Sequence, residues 1–204
     1  MMFVQKAIVN VLLMVLPAAV SPIPPPWELV TEPGDSVEAQ IDHSVVHSGA
    51  SSARLQVIKS AGHEVALLYP FRAEAWQGKR VLLTGWVRSD LAGGEAGLAI
   101  MTNNGGRNSF FSLTEQHVSK QSAWQKLSVL CDVPKDATLM GIGMWVRHGN
   151  GSAWVDDLTF AAADSGAGKP PEPRKSPLLT HDEMSRIAET YKTAGAAPST
   201  LGFE

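Results

Sequence analysis

The chain has 204 residues, which is enough for one well-buried domain with appendages. Hydrophobic residues make up 44% and charged residues 18% of it, with 18 Gly and 13 Pro, a composition that indicates a turn-rich globular protein and excludes a disordered one. The formal net charge of −3 gives no basic field that would attract nucleic acid or an anionic membrane surface, so we expect no nucleic-acid partner.

Residues 1–21 have the order of a secretory signal peptide. Lys6 precedes an apolar run over residues 7–16, and small residues follow it. An uncleaved anchor is the alternative, although the run is shorter than the ~20 residues that a spanning helix needs. We therefore expect a secreted or periplasmic protein that has no membrane span after cleavage.

The part of the chain from residue 27 to residue 161 consists of short β-prone runs separated by turn signals. About eight or nine such runs at a spacing of roughly 8 to 15 residues are typical of an antiparallel β-sandwich or jelly roll. The sequence therefore predicts an all-β domain over residues 27–161. The dipeptide Asn150-Gly151 predicts a tight hairpin between the last two strands.

Proline-rich and glycine-rich segments flank this domain. Residues 22–26 predict an extended spacer before the domain, and residues 162–179 predict a linker after it. Residues 180–194 then predict a short amphipathic helix, with Thr180 as N-cap and Glu183 completing a capping box. A helix of this length is not stable alone, so we expect it to dock on the sandwich or on a partner.

The tripeptide Trp-Val-Arg occurs in two of the predicted strands. Strand alternation places Trp86 and Arg88 opposite the aliphatic side of the first strand, and it does the same for Trp145 and Arg147 in the second. If the two faces coincide, the four side chains form a stacking surface with hydrogen-bond donors.

Three stretches of the domain resemble a family of accessory jelly-roll modules with the galactose-binding-like fold. They are HSGASSARLQV from His47, FRAEAWQGKRVLLTGWVRSD from Phe71, and WQKLSVLCDVPKDATLMGIGMWVRHGNGSAWVDDLTF from Trp124. These stretches are similar to carbohydrate-binding-module-like domains of extracellular bacterial proteins. The resemblance implies a β-sandwich whose function is to bind a carbohydrate.

The chain departs from this family at its first strand. Modules of the family open with a strand like "N.GFE", which is absent before Trp27, whereas residues 199–204 read STLGFE. One interpretation is that residues 199–204 return to the sandwich and fill the place of the first strand, in effect a circular permutation. The other is that they begin a second module of a longer protein.

Two adjacent aspartates lie in the last predicted strand. In a regular strand Asp156 and Asp157 point to opposite sides and cannot act as an acid/base pair. Alternation places Asp156 on one inward side with Trp154, Leu158 and Phe160. A buried carboxylate is costly unless it is hydrogen-bonded or metal-bound, and the sequence leaves both roles open.

The family resemblance implies a metal role for this carboxylate. In the resembling modules a carboxylate of the last strand and the Glu of "GFE" hold a structural calcium ion. Carried over to this chain, the ligands are Asp156 and Glu204, supplemented by carbonyl oxygens near Asp35 or Asp42, a set of oxygen atoms that calcium prefers.

Six tryptophans are many for this chain, and sugar-binding proteins stack indoles on pyranose rings. The alternative is that they fill the core. The candidate ligand-binding residues are Trp86, Arg88, Trp145 and Arg147 on the strands, with Asn103, Asn104 and Arg107 of the following loop as rim contacts.

The sequence shows no catalytic motif. It lacks a GxSxG elbow, an HExxH motif and a phosphate-binding glycine loop, and His43 and His47 are interpreted as ordinary loop histidines. We therefore expect an exported, non-catalytic module that binds a carbohydrate or cell-wall glycan. A structural or protein-interaction domain of the cell envelope is the alternative.

Overall fold

The computed structural model describes residues 20–103, 111–113, 116–164, 166–170, 200–201 and 203. Apart from one 3₁₀ turn at Glu74–Trp76, every regular element in these ranges is a strand, which confirms the predicted all-β antiparallel fold. In chain order the strands are β1 (Val20–Pro22), β2 (Glu28–Val30), β3 (Ser36–Asp42), β4 (Ser52–Lys59), β5 (Glu64–Arg72), β6 (Arg80–Asn103), β7 (Phe111–Leu113), β8 (Val118–Asp132), β9 (Leu139–Arg147), β10 (Asn150–Ala162) and β11 (Thr200–Leu201).

Strand β6 belongs to both layers of the sandwich. Residues 81–92 pair with β10, whereas residues 95–103 pair with β9. The first sheet therefore has the order β1-β3-β4-β10-β6-β8, and the second sheet has the order β2-β5-β9-β6-β7. Gly94 permits the turn between the two halves, because a Cβ there would lie 1.9 Å from the carbonyl oxygen of His148.

The core lies between the two sheets, and strand alternation predicts which residues fill it. The inward residues of β6 and β9 are almost fully buried, as the alternating pattern predicts. They belong to a single hydrophobic cluster and are Val81, Leu83, Val87, Ile142, Met144 and Val146.

The predicted hairpin at Asn150-Gly151 is wrong. Both residues lie inside β10, and the chain turns two residues earlier, at His148 and Gly149, whose φ angles are 54° and 87°. Strand β9 pairs with β5 whereas β10 pairs with β4, so the connection crosses from the second sheet to the first instead of closing a hairpin.

Both ends of the described chain pack on the sandwich. Strand β1 pairs with β3 and Ile23 packs against the core, so residues before Trp27 also contact the sandwich. Strand β11 pairs with β10, and the ring of Phe203 lies 5.1 Å from the ring of Trp27. Residues 200–201 and 203 thus contact the sandwich, and their filling the place of a first strand stays a prediction.

Several predicted segments fall outside the described ranges. They are the signal peptide up to residue 19, the linker beyond residue 170 and the helix over residues 180–194. Among the residues that the structure does describe, no helix is long and apolar enough to cross a membrane.

Candidate functional site

Strand β10 contains a β-bulge at its two aspartates. The register between β10 and β6 shifts between Asp156 and Thr159, and Asp157 has a φ of 49°, in the left-handed region. An extra residue in a strand reverses the side on which the following residues lie. The bulge therefore changes which side chains of β10 face the core.

The predicted inward position of Trp154 is wrong because of this bulge. Before the bulge Val155 faces the core, and after it Leu158 does. Leu158 fills the space over Gly85, where a Cβ would lie 2.5 Å from the leucine Cδ2. Trp154 consequently lies on the outer face of the first sheet.

The bulge also directs both aspartates at one loop, so they do not point to opposite sides as predicted. Asp156 Oδ2 accepts hydrogen bonds from the backbone N–H groups of His47 (2.8 Å) and Ser48 (3.2 Å). Asp157 accepts a 2.6 Å hydrogen bond from His47 Nδ1 and a 2.7 Å hydrogen bond from Ser48 Oγ. The two carboxylates together hold the loop between β3 and β4 against the sheet.

The two carboxyl groups differ in pKa. Burial raises the pKa of Asp156, although three backbone N–H groups act against it. Burial would also raise the pKa of Asp157, but the hydrogen bonds from Ser48 and His47 outweigh burial and lower it. Asp157 is therefore a carboxylate at neutral pH, and His47 Nδ1 is a donor.

Three rings form an aromatic cluster on the outer face of the first sheet. The imidazole of His47 lies parallel to the indole of Trp86, with a centroid distance of 3.9 Å and an angle of 17°. Trp124 meets the same imidazole edge-on at 5.8 Å. Both indoles are half-buried, so part of each remains open to solvent.

A row of three side chains crosses the neighbouring strands of this face. Trp154 on β10 is paired with Arg54 on β4 and with Arg88 on β6. The guanidinium carbons lie 5.9 Å and 5.6 Å from the centroid of the indole, within the range of a cation–π contact. The indole Nε1 donates a 2.9 Å hydrogen bond to Asp42 Oδ2, which fixes the ring. We call Arg54, Trp154 and Arg88 the arginine row.

Trp145 and Arg147 lie in the second sheet, so the predicted four-residue surface does not form. Trp145 has 0% of its surface exposed, and its Nε1 donates to the carbonyl of Leu98 at 3.0 Å. The Arg147 guanidinium covers the ring at 4.7 Å and forms a 2.7 Å ion pair with Glu95. A buried indole has no face to offer a sugar.

The predicted rim residues do not join the aromatic cluster. Asn103 is buried at the end of β6 in the second sheet, where its carbonyl accepts a 2.6 Å hydrogen bond from the Thr138 N–H. Asn104 and Arg107 lie outside the described residues.

The surroundings of Asp156 are those of a hydrogen-bonded carboxylate. N–H groups approach both of its oxygens, since the Asp157 N–H donates to Oδ1 at 2.7 Å. The ranges that the structure describes contain no group of three or more His, Cys, Asp or Glu that could hold a metal ion. Glu204 lies outside those ranges, so calcium binding there stays a prediction.

Sequence reasoning missed His47, Trp124 and Arg54 as members of this face. His47 and Arg54 lie within the HSGASSARLQV stretch, which was recognised only as a sign of the fold. A second signal is the Asp-Asp pair inside an apolar strand. A regular strand would bury one of these charges, whereas a bulge directs both toward hydrogen-bond donors.

Comparisons with known proteins found one similar curated protein and several similar solved structures. No family model matches the chain. The uncharacterized HTH-type transcriptional regulator YbfP of Bacillus subtilis (strain 168) is 22% identical over 142 residues, which cover 68% of this chain and 48% of the regulator. The chain therefore spans about half the length of this curated relative.

Several similar solved structures are carbohydrate-binding modules. The CBM22-1 xylan-binding domain of Paenibacillus barcinonensis Xyn10C is 10% identical, with a TM-score of 0.53, and the match covers 69% of this chain and 87% of that domain. The C-terminal family 22 module of Clostridium thermocellum Xyn10B is 15% identical, with a TM-score of 0.54, and the match covers 70% and 88%. This chain has their β-sandwich fold. At such low identity the similarity shows the fold of carbohydrate-binding modules and does not transfer a ligand.

Proposed function

We propose that this chain is a non-catalytic glycan-binding module that holds a saccharide on the aromatic cluster of the first sheet. The observation that carries the proposal is the half-buried state of Trp86 and Trp124 on an outer face. The other tryptophans in the described ranges are committed to packing. Trp27, Trp145 and Trp154 are buried, and Trp76 packs on Phe160.

The chemistry of the cluster suits a sugar ring. A pyranose has one apolar face and a rim of hydroxyl groups, and an indole supplies apolar contact area with little loss of side-chain entropy. Polar groups lie beside the indoles. Lys126 is paired with Trp86 across β8, and Arg88 follows two residues later on the same face of β6. These side chains are donors for sugar hydroxyls.

The cluster is held rigid before any ligand arrives. Asp157 fixes the His47 ring through Nδ1, and the backbone of the same residue is fixed by Asp156. His47 in turn holds the plane of Trp86 by stacking. Binding to a preorganised surface loses less conformational entropy than binding to mobile side chains.

The similarity to xylan-binding modules supports a polysaccharide ligand and makes xylan the first probe. Export through the predicted signal peptide belongs to the same proposal, because extracellular glycans are met outside the cytoplasm. A protein-interaction or structural domain of the cell envelope is the alternative.

The test compares three tryptophan variants in affinity gel electrophoresis with soluble xylan and mixed-linkage β-glucan. We expect Trp86→Ala and Trp124→Ala each to weaken binding by roughly tenfold, because each removes a stacking ring. Trp76→Ala is the matched control, since its ring is also half-buried but lies against Phe160 and Lys79. It should bind as the wild type does.

Three results would contradict the proposal. A folded wild-type protein that binds no polysaccharide would favour the protein-interaction alternative. Equal losses in Trp76→Ala and Trp86→Ala would indicate an indirect effect on the fold. Binding that is lost in Arg147→Ala and kept in Trp86→Ala would move the site to the second sheet.

A further inference from the structure

The described residues include five arginines, and two of them differ from the others in their partners. Three form ion pairs with a carboxylate, whereas the two members of the arginine row form none with any residue that the structure describes. The paired arginines are Arg72 with Glu74, Arg80 with Asp132, and Arg147 with Glu95.

Neutral groups hold the arginine row in place. Arg54 donates from Nε to Ser152 Oγ at 3.1 Å and from Nη2 to Gln56 Oε1 at 2.7 Å. Arg88 Nε is buried and has no hydrogen-bond acceptor among the described residues. The Arg54 guanidinium is therefore oriented by Trp154 and by two neutral oxygens, whereas the Arg88 guanidinium contacts Trp154. Neither forms an ion pair with a carboxylate among the described residues.

The carboxylate that contacts Trp154 already has hydrogen-bond partners. Asp42 Oδ2 accepts from Trp154 Nε1, and Asp42 Oδ1 accepts from the N–H and the hydroxyl of Ser44. The next acidic side chains on this face, Asp90 and Glu38, lie one pair of residues further along β6 and β3. The row is thus a cationic strip between these acidic residues and the aromatic cluster.

We propose that the arginine row binds the anionic groups of an acidic polysaccharide, either the carboxylate of a uronic acid or a sulfate ester. This rests on the proposed glycan-binding function and extends the same face from Trp86 to Arg54. Arg54 and Arg88 flank a single strand, β10, and neighbouring strands are about 4.8 Å apart, so one ligand chain can reach both guanidinium groups. Guanidinium groups match oxyanions through paired N–H donors.

The overall charge of the protein cannot supply this binding. The formal net charge is −3, so an anionic polymer is repelled by the protein as a whole and must be held by a local cationic site. Anion binding by this chain is therefore diagnostic of a specific surface, which makes the proposal testable with ordinary polymers.

The test measures affinity by isothermal titration calorimetry for two matched pairs of polymers. One pair is polygalacturonate and its methyl-esterified form, and the other is dextran sulfate and dextran. The variants are Arg54→Gln and Arg88→Gln. Arg72→Gln is the control, because Arg72 is an exposed arginine at the end of β5, in the second sheet. Arg54→Lys and Arg88→Lys retain the charge and replace the Gln variants if those unfold.

We expect the wild-type protein to bind one acidic polymer at least tenfold more tightly than its uncharged counterpart. Each Gln variant should lose about tenfold in affinity for the acidic polymer, and Arg54→Gln, which lies outside the aromatic cluster, should keep its affinity for neutral xylan. Arg72→Gln should behave as the wild type. Each Lys variant should keep the preference for the acidic polymer and bind it less tightly than the wild type. Preference for polygalacturonate identifies a carboxylate site, and preference for dextran sulfate identifies a sulfate site.

Equal affinity for charged and uncharged polymers, with binding that still needs Trp86, would overturn the anion site and leave the glycan-binding function intact. Equal losses in Arg72→Gln and Arg88→Gln would reduce the effect to general surface charge. Absence of binding to any neutral or acidic polysaccharide would overturn both proposals.

Discussion

The same tripeptide, Trp-Val-Arg, differs in solvent exposure between the two sheets. In β6 it presents Trp86 and Arg88 on an outer face where both side chains are half-buried. In β9 it buries Trp145 completely and ties Arg147 to Glu95. The central valine faces the core in both strands, so the difference does not come from the tripeptide itself.

The neighbours across the strands decide the outcome. Trp86 lies between Asp156 of β10 and Lys126 of β8, and its ring stacks on the imidazole of His47. Trp145 lies beside Gly97 of β6, where a Cβ would approach within 2.8 Å of the indole. The absent side chain gives the ring space to lie flat and be covered. The residues on adjacent strands therefore decide whether an indole stays partly exposed and can bind a ligand.

The largest expected effect separates the two tryptophans by stability. Trp145→Ala should lower the free energy of unfolding by about 3–5 kcal/mol, as is typical when a fully buried large side chain is truncated. Trp86→Ala should cost roughly 1–2 kcal/mol, because part of that ring is already exposed to solvent. Urea denaturation followed by fluorescence measures both. Equal losses of unfolding free energy in the two variants would contradict the difference in burial between Trp145 and Trp86.

A smaller effect is expected where the space for Trp145 is filled. Gly97→Ala should destabilise the protein by about 1–3 kcal/mol, because the added methyl group overlaps the indole and the chain must shift. Gly166→Ala is the control, since no atom lies within 4 Å of a Cβ at that position. An unchanged midpoint in Gly97→Ala would show that the ring can move away at no cost.

The smallest effect concerns the anchor under the arginine row and depends on pH. Burial acts to raise the pKa of Asp42, but hydrogen bonds from Ser44 and Trp154 outweigh it and hold the pKa below its ordinary value of 3.8. The stabilisation is thus complete above pH 3.8 and is lost as the pH falls through the lower folded-state pKa. At neutral pH, Asp42→Asn should cost about 1 kcal/mol.

This difference should shrink in acid. Denaturation of the wild type and of Asp42→Asn at several pH values below 5 would show the two free energies of unfolding converging. A difference that stays constant down to pH 2 would indicate that the carboxylate charge contributes nothing to holding Trp154.

The sequence predicts correctly those features that depend only on neighbouring residues in one strand. The inward positions of Val81 and Ile142 follow from alternation within one strand, and both are fully buried. The placement of the two Trp-Val-Arg segments in different sheets does not depend on neighbouring residues in one strand. It depends on the bend at Gly94 and on the crossing at His148, each of which is fixed by a close approach between distant segments.

The site was harder to predict than the fold for a similar reason. A bulge adds one residue to a strand without changing its composition, so the sequence pattern of β10 gives the wrong side for Trp154. The position of His47 follows from that bulge, because the two aspartates that hold it reach the same loop only through the left-handed backbone of Asp157.

The contact between Phe203 and Trp27 has a consequence for the order of events during synthesis. Leu201 and Phe203 are buried core residues that a ribosome adds after every other strand that the structure describes, and their partners are Leu158 and Trp27. Chains begin to fold from the N-terminus as they emerge, but contacts between distant positions form slowly. A nascent chain therefore has an incomplete core and one unpaired edge of β10 at Leu158 and Thr159 until residue 203 has emerged. This part of the core forms later than in a domain whose first-made strands pair with one another.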